Sequence, residues 1–316
     1  MPKTKQVYVL GAGAIGSTLT ACLAREGRPV VAVHTSKHDV SATMITVTVR
    51  RGAEPVLKVP IETVSLSKLP RLEGVIVVAA KSHANNAIAT ALMDKAFTGP
   101  LVIMQNGLAV ERPFLERQFD EIYRCVLYAT SQTYPENDLV FRPIASSPIG
   151  VVRGFQPGLK ECVATLTTQE FPFHQEPNIQ KSIWKKTIVN CAFNSICPLL
   201  HVDNGIFIRD AEVARLAQEI VVEGVALAER KGIALTVAEI MDQIMAISQG
   251  SAGQLISTLQ DIIGGRETEI EHLNLEMARI ASFMKPQVDL RTTELLGRMI
   301  LAKSKHKSRA APSAAP

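Results

Sequence analysis

Short runs of continuous apolar residues, QVYVL (6–10), VVAVH (30–34), VIVVAA (75–80) and PLVIMQ (100–105), recur through the first half of the chain. Helical patterns lie between and after them, near 14–27, 84–95 and 109–118. Strands that are apolar at every position are those buried on both faces, so this pattern predicts a mostly parallel sheet covered by helices. YRCVLYA (123–129), DLVFRPIA and IGVVRG add strand-like pieces, and MITVTVRRGAEPVLKVPIETV (44–64) alternates about Gly52 and Pro55 as a hairpin insertion would. Pro157, Pro172 and Pro177 read as punctuation before the character changes. From about 178 onward the period is helical, with breaks at Gly205, 232–233, Gly250 and Pro286. Segments such as 212–232 carry apolar residues at three- and four-residue spacing, the mark of helices packed on one another.

Composition narrows the class. With 316 residues, 47% hydrophobic and 20% charged, the chain is long and apolar enough to bury two cores. Its net charge of +4 is matched by Lys303, Lys305, Lys307 and Arg309 in the tail KSKHKSRAAPSAAP, which leaves the remainder near neutral. No basic face argues for nucleic acid, and the tail over 303–316 reads as a disordered basic end. The five cysteines lack CxxC or Cys/His spacing, so neither a disulfide framework nor a metal site is expected. No stretch approaches the roughly 20 apolar residues that cross a bilayer, and the expectation is a soluble cytoplasmic protein without a membrane partner.

The sequence GAGAIG, formed by Gly11, Ala12, Gly13, Ala14, Ile15 and Gly16, follows the first strand and opens a helix. In that setting the first glycine permits a tight turn, the second lets backbone approach a pyrophosphate, and the third lets helix and strand pack closely. The helix N-terminus then presents unpaired amides to the phosphates. The fold class is therefore α/β: a Rossmann-type, mostly parallel sheet domain over 1–177 that binds a dinucleotide, followed by an all-helical C-terminal domain over 178–302. After the second strand come His34, Thr35, Ser36 and Lys37 before the first acid, Asp39. A hydroxyl and a cation suit a ribose 2′-phosphate where a carboxylate would repel it, which favours NADPH over NADH.

Further polar residues fall at predicted strand ends, Lys81 after VIVVAA and Asn106-Gly107 after PLVIMQ. In the helical half, KKTIVNCAFNS places Lys186, Asn190 and Asn194 at i, i+4 and i+8, on one side of a helix. That side either faces water or lines a site, and periodicity leaves the choice open. Asn204 before Gly205 reads alone as a turn pair, and Glu269 as a solvated helical acid.

Taken together, these pieces resemble the ketopantoate reductase (2-dehydropantoate 2-reductase) family over nearly the whole chain apart from the tail. The resemblance is carried by GAGAIG, Lys81, QNG at 105–107, WKKTIVNCAFN at 184–194, Asn204, and Ser257, Asp261 and ETEI at 267–270. It implies reduction of ketopantoate, a small 2-keto acid, to pantoate with NADPH, in the pathway to pantothenate and coenzyme A. By position it also implies that Lys186 is the general acid and Glu269 a second catalytic residue. Asn106, Asn190, Asn194, Asn204 and Ser257 would contact substrate, while Lys81, Asn106 and Glu269 would arrange the nicotinamide, the ribose and the substrate. A cofactor contact maps onto Thr133, in a stretch, SQTYPEND, that reads as a loop.

Ketone reduction needs a proton donor and groups that fix the substrate, and Lys186 with the amide and hydroxyl donors would supply them from the second domain. The site is therefore expected where the two domains meet. Two alternatives remain at this level, a reductase of another 2-keto acid and a non-catalytic NADPH-binding regulator. Helices such as 212–232 also leave open a homodimer.

Overall fold

The computed structural model describes residues 5–310 except His38 and Ala53. The chain divides into two units, one of 1–105 with 110–179 and the other of 106–109 with 180–316. The short segment 106–109 thus leaves the first unit and belongs to the second.

In the first unit the apolar runs become β1 (Val7–Leu10), β2 (Val30–His34), β5 (Val75–Val78) and β6 (Leu101–Ile103), with the hairpin β3 (Thr43–Arg51) and β4 (Glu54–Ser65) inserted between the second and third. Helices α1 (Ala14–Arg25), α2 (Asn85–Asp94) and α3 (Arg112–Glu116) follow β1, β5 and β6. The remainder is β7 (Ile122–Cys125), β8 (Ala129–Tyr134), β9 (Asp138–Pro143), β10 (Ser147–Arg153), α4 (Gln156–Leu166) and β11 (Phe173–Gln175). All strands join one sheet in the order β11-β10-β7-β6-β5-β1-β2-β4-β3-β9-β8. β1 pairs in parallel with both β2 and β5, so the strand order reverses at β1. That reversal is where an open α/β sheet leaves a crevice beyond its strand ends. Val7, Val9, Val75 and Val77 are fully buried on one face, and Leu10, Ile76 and Val78 on the other, as continuous apolar strands require.

One expectation for this unit needs correction. SQTYPEND is not a loop at its start: 129–134 form β8, antiparallel to β9. The sheet curls so that β8 reaches α1, where Ser131 Oγ lies 2.9 Å from Thr18 Oγ1. Pro157 marks the start of α4 and sits in its first turn, where a missing N–H costs nothing because that group has no helical acceptor.

The second unit is helical: α5 (Ile179–Leu200), α6 (Ile206–Arg209), α7 (Ala211–Arg230), α8 (Val237–Gly250), α9 (Ser257–Ile263), α10 (Asn274–Ser282) and α11 (Arg291–Ala310). Local chemistry sets several boundaries. Asp210 caps α7 by accepting from the Glu212 and Val213 amides at 2.9 and 3.2 Å, and Thr236 and Glu239 form a capping box on α8. Gly224 lets α7 press on α5 and α10, since a Cβ there would lie 2.9 Å from Ile188 Cγ1 and 3.0 Å from Met277 Cε. Glu223 of α7 accepts from the Thr292 and Thr293 amides at 2.8 Å each, capping α11 from a neighbouring helix.

The basic tail is the second correction. Residues 303–310 continue α11 rather than beginning a disordered end. Ala and Lys are good helix formers, and Lys303 Nζ donates to the Pro198 carbonyl at 2.6 Å while Ser304 is buried, so the segment is held by packing as well as propensity. Residues 311–316 lie outside the described residues. Among the described residues no helix is long and apolar enough to cross a membrane.

Candidate functional site

In the first unit the glycines divide the work as their positions suggest. Gly11 has φ +113°, and a Cβ on it would lie 2.4 Å from the Ala80 backbone nitrogen. On Gly16 a Cβ would lie 1.9 Å from the Gly11 carbonyl oxygen. Gly13, by contrast, has open space for 4 Å around the same position. The outer glycines are therefore needed by the fold itself, and the middle one leaves a concavity that a ligand backbone can enter. Ser17 N–H donates to the Gly13 carbonyl at 2.8 Å, closing the first turn of α1. The amides of Ala14, Ile15 and Gly16 precede it and point forward of the helix, with no acidic side chain in that turn to compete. This cradle fits a dinucleotide pyrophosphate.

The neighbouring strand ends are tied to it. Gly11 N–H donates to Val33 and Ala79 N–H to Leu10, both at 2.8 Å. His34, half-buried at the end of β2, has its pKa lowered by burial and then by the charge of Lys37. Ser36 and Lys37 are exposed on the loop that follows. That loop is pinned by fully buried Ser65 at the end of β4, whose hydroxyl donates to the Lys37 carbonyl and accepts from Val40 N–H at 2.9 Å. Asp39 does not occupy the ribose position by default: its carboxylate is exposed and pairs with Lys68 at 3.4 Å.

Lys81 follows β5 and is partly exposed. Behind it lies a buried polar network that the sequence did not advertise. Asn85 and Gln105 exchange amide hydrogen bonds at 2.7 Å in both directions, and Gln105 Nε2 also reaches the Ala80 carbonyl at 2.6 Å. Arg124, 2% exposed, donates to the Gln105 carbonyl at 3.2 Å and pairs with Glu111. The network locks the ends of β5 and β6, from which Lys81 and the Asn106 segment emerge. Thr133 is exposed on β8, two residues beyond the Ser131 that meets α1.

Every residue assigned to substrate by the sequence falls in the second unit, Asn106 included. Gly107, at φ +94°, sits so close to the 269–272 turn that a Cβ would be 2.3 Å from the His272 carbonyl oxygen. Leu108 N–H donates to that same oxygen at 2.8 Å, which docks the Asn106 segment on the turn that begins at Glu269. The turn is held in its own right by Arg266, bonded to buried Asp261 at 2.9 Å. Glu269 is partly exposed.

On α5, exposure falls along the polar line. Lys186 and Asn190 are half-buried, while Asn194 is 3% exposed. The flanking Thr187, Ile188, Val189, Cys191, Ala192 and Phe193 are all buried, so the line is a polar strip in a buried helix rather than a solvated face. Asn194 Nδ2 donates to the Asn190 carbonyl at 2.9 Å, and Asn194 Oδ1 accepts from Thr258 Oγ1 at 2.7 Å. Ser257, next to Thr258, opens α9.

Asn204 is buried and clamped by its backbone. Its N–H donates to Gln254 at 2.9 Å and its carbonyl accepts from Ser248 Oγ at 2.7 Å. Asp203 beside it accepts from the Gly205 and Gly253 amides at 2.7 and 3.1 Å and from Arg209. The Arg209 guanidinium first, then those two amides, holds the Asp203 carboxyl well below the usual carboxylate range. Yet Asn204 Oδ1 is buried and accepts no hydrogen bond. Such an atom is costly to bury without a donor, and its natural complement is a hydroxyl or N–H of a ligand.

The family description ketopantoate reductase PanE/ApbA matches residues 7–141, and ketopantoate reductase PanE/ApbA C terminal matches residues 178–304. The 2-dehydropantoate 2-reductase of Pyrococcus horikoshii is 26% identical over 288 residues, 89% of this chain and 93% of that protein. A dimeric ketopantoate reductase from Staphylococcus aureus superimposes with a TM-score of 0.79 at 20% identity, over 96% of this chain and 99% of the other. The fold is shared equally with a D-mandelate dehydrogenase solved with NADH and anilino(oxo)acetate, at a TM-score of 0.82 and 19% identity over 96% and 99% of the two chains. Both family descriptions, one on each unit, and the curated relatives converge on the same result: the chain belongs to the ketopantoate reductase family of NAD(P)-dependent oxidoreductases.

Proposed function

We propose that the chain reduces 2-dehydropantoate to pantoate, a step in pantothenate formation, and that it uses NADPH in preference to NADH. The observation that carries the substrate side is the buried, acceptor-only Asn204 Oδ1 in the same helical unit as a half-buried lysine and Ser257. A 2-keto acid bearing a terminal hydroxyl supplies the missing donor, a carbonyl for Lys186 and a carboxylate for neutral donors. The cofactor preference is supported by Ser36 and Lys37 on the loop pinned by Ser65 and by Asp39 being paired elsewhere.

When bound, a dihydronicotinamide supplies the hydride. The chain's own residues do the rest. The Lys186 ammonium stabilises negative charge as it develops on the substrate carbonyl oxygen and then transfers a proton from Nζ to that oxygen. Asn190 and Ser257 orient the carboxylate without adding a second cation, and Asn204 accepts from the hydroxyl. Glu269 and the Asn106 segment, docked on the same turn, arrange the reacting end. Lys81, with the Gly11–Gly16 loop and Thr133, serves the cofactor. The likeness to the dimeric staphylococcal reductase supports a homodimer.

The direct test is growth. A pantothenate-requiring strain that lacks its own reductase is expected to grow without pantothenate when this chain is expressed; failure, with soluble protein present, contradicts the substrate assignment.

A further inference from the structure

Asn194 stands on the polar line but is not placed like its predecessors. Both ends of its carboxamide are engaged inside the protein, by Thr258 Oγ1 at 2.7 Å and by the Asn190 carbonyl at 2.9 Å. Thr258 is 2% exposed and directly follows Ser257 at the start of α9. That helix has only seven residues, and Ile256 before it offers no side-chain cap. A helix so short has little cooperativity of its own, so tertiary contacts must set its orientation. Leu259 and Ile262 supply buried apolar surface, which holds α9 down but is non-directional. The Thr258–Asn194 hydrogen bond is directional, and a slip of one residue along a helix turns a side chain by about 100°.

We infer that Thr258 is a positioning residue, which through its hydrogen bond to Asn194 fixes the start of α9, and with it Ser257, relative to α5. The inference rests on the reading of Lys186, Asn190, Asn194 and Ser257 as the 2-keto-acid site. A bond that fixes Ser257 acts on substrate affinity and leaves the cofactor loop untouched.

Thr258→Val keeps the shape and removes the hydroxyl; Thr258→Ser keeps the hydroxyl. Steady-state rates are followed by NADPH absorbance with 2-dehydropantoate as the varied substrate, alongside the melting temperature. The valine variant is expected to raise the KM for 2-dehydropantoate about 5- to 10-fold, the loss of one ordinary hydrogen bond, with the KM for NADPH unchanged. The serine variant is expected to restore it to within about twofold. If the valine variant does not fold, Thr258→Ala, which introduces no new contact, gives the same reading. An unmoved KM for 2-dehydropantoate in an active variant overturns the inference alone. A wild-type chain that oxidises no NADPH with any 2-keto acid overturns the reading beneath it as well.

Discussion

The two units carry their candidate chemistry in opposite ways. In the sheet unit the cofactor cradle is made of backbone and of missing side chains: Gly11 and Gly16 are there because nothing larger fits, and Gly13 because something else must. In the helical unit the candidate groups are side chains: Lys186, Asn190 and Asn194 form a strip between buried residues of α5, Asn204 is buried, and Ser257 is exposed at the start of α9. Asn194 is satisfied from within, and Asn204 Oδ1 is not. Backbone sites announce themselves by spacing, whereas side-chain sites need burial and hydrogen bonds before they can be told from surface.

Substitutions at the glycines break that contrast most sharply. Gly16→Ala drives a methyl into a backbone carbonyl 1.9 Å away, so we expect destabilisation of about 3 kcal/mol, the upper end of overpacking, read by denaturant unfolding. Gly13→Ala meets nothing within 4 Å and is expected to keep wild-type stability while raising the KM for NADPH by about 10-fold, because the methyl occupies the space of the ligand. Equal stability loss in the two variants would show that Gly13 also belongs to the fold. A smaller effect is expected from Lys37→Ala. Losing one exposed charged partner of a 2′-phosphate should cut the NADPH-over-NADH ratio of kcat/KM severalfold, with stability unchanged. A ratio that does not move removes Lys37 from the cofactor site.

Much of the sheet unit was legible because its elements have one strong signal each. Continuous apolar runs marked β1, β2, β5 and β6, and the glycine loop marked the β1–α1 turn at the strand-order reversal. What escaped was tertiary. β8 looks polar because it is a mostly exposed edge strand that gains its place by curling onto α1. The tail looked solvated because the carbonyl of Pro198 that anchors Lys303 lies about a hundred positions earlier. In the candidate site, the line Lys186, Asn190, Asn194 was visible by spacing, but its burial was not. Thr258, Ser248, Ser65 and Asn85 had no signal at all, since a buried serine, threonine or amide is identified only by the partner that the fold brings to it.

The most direct test of the proposed chemistry is the rate at saturating 2-dehydropantoate and NADPH in Lys186→Ala, with Lys185→Ala beside it as control. Lys185 makes a partly exposed pair with Glu239 at 3.7 Å, worth little to stability, and its loss is expected to leave turnover within about twofold. Loss of Lys186 is expected to lower turnover by ~10²-fold or more while NADPH binding is retained. A near-normal rate in Lys186→Ala would contradict the assignment of the proton donor.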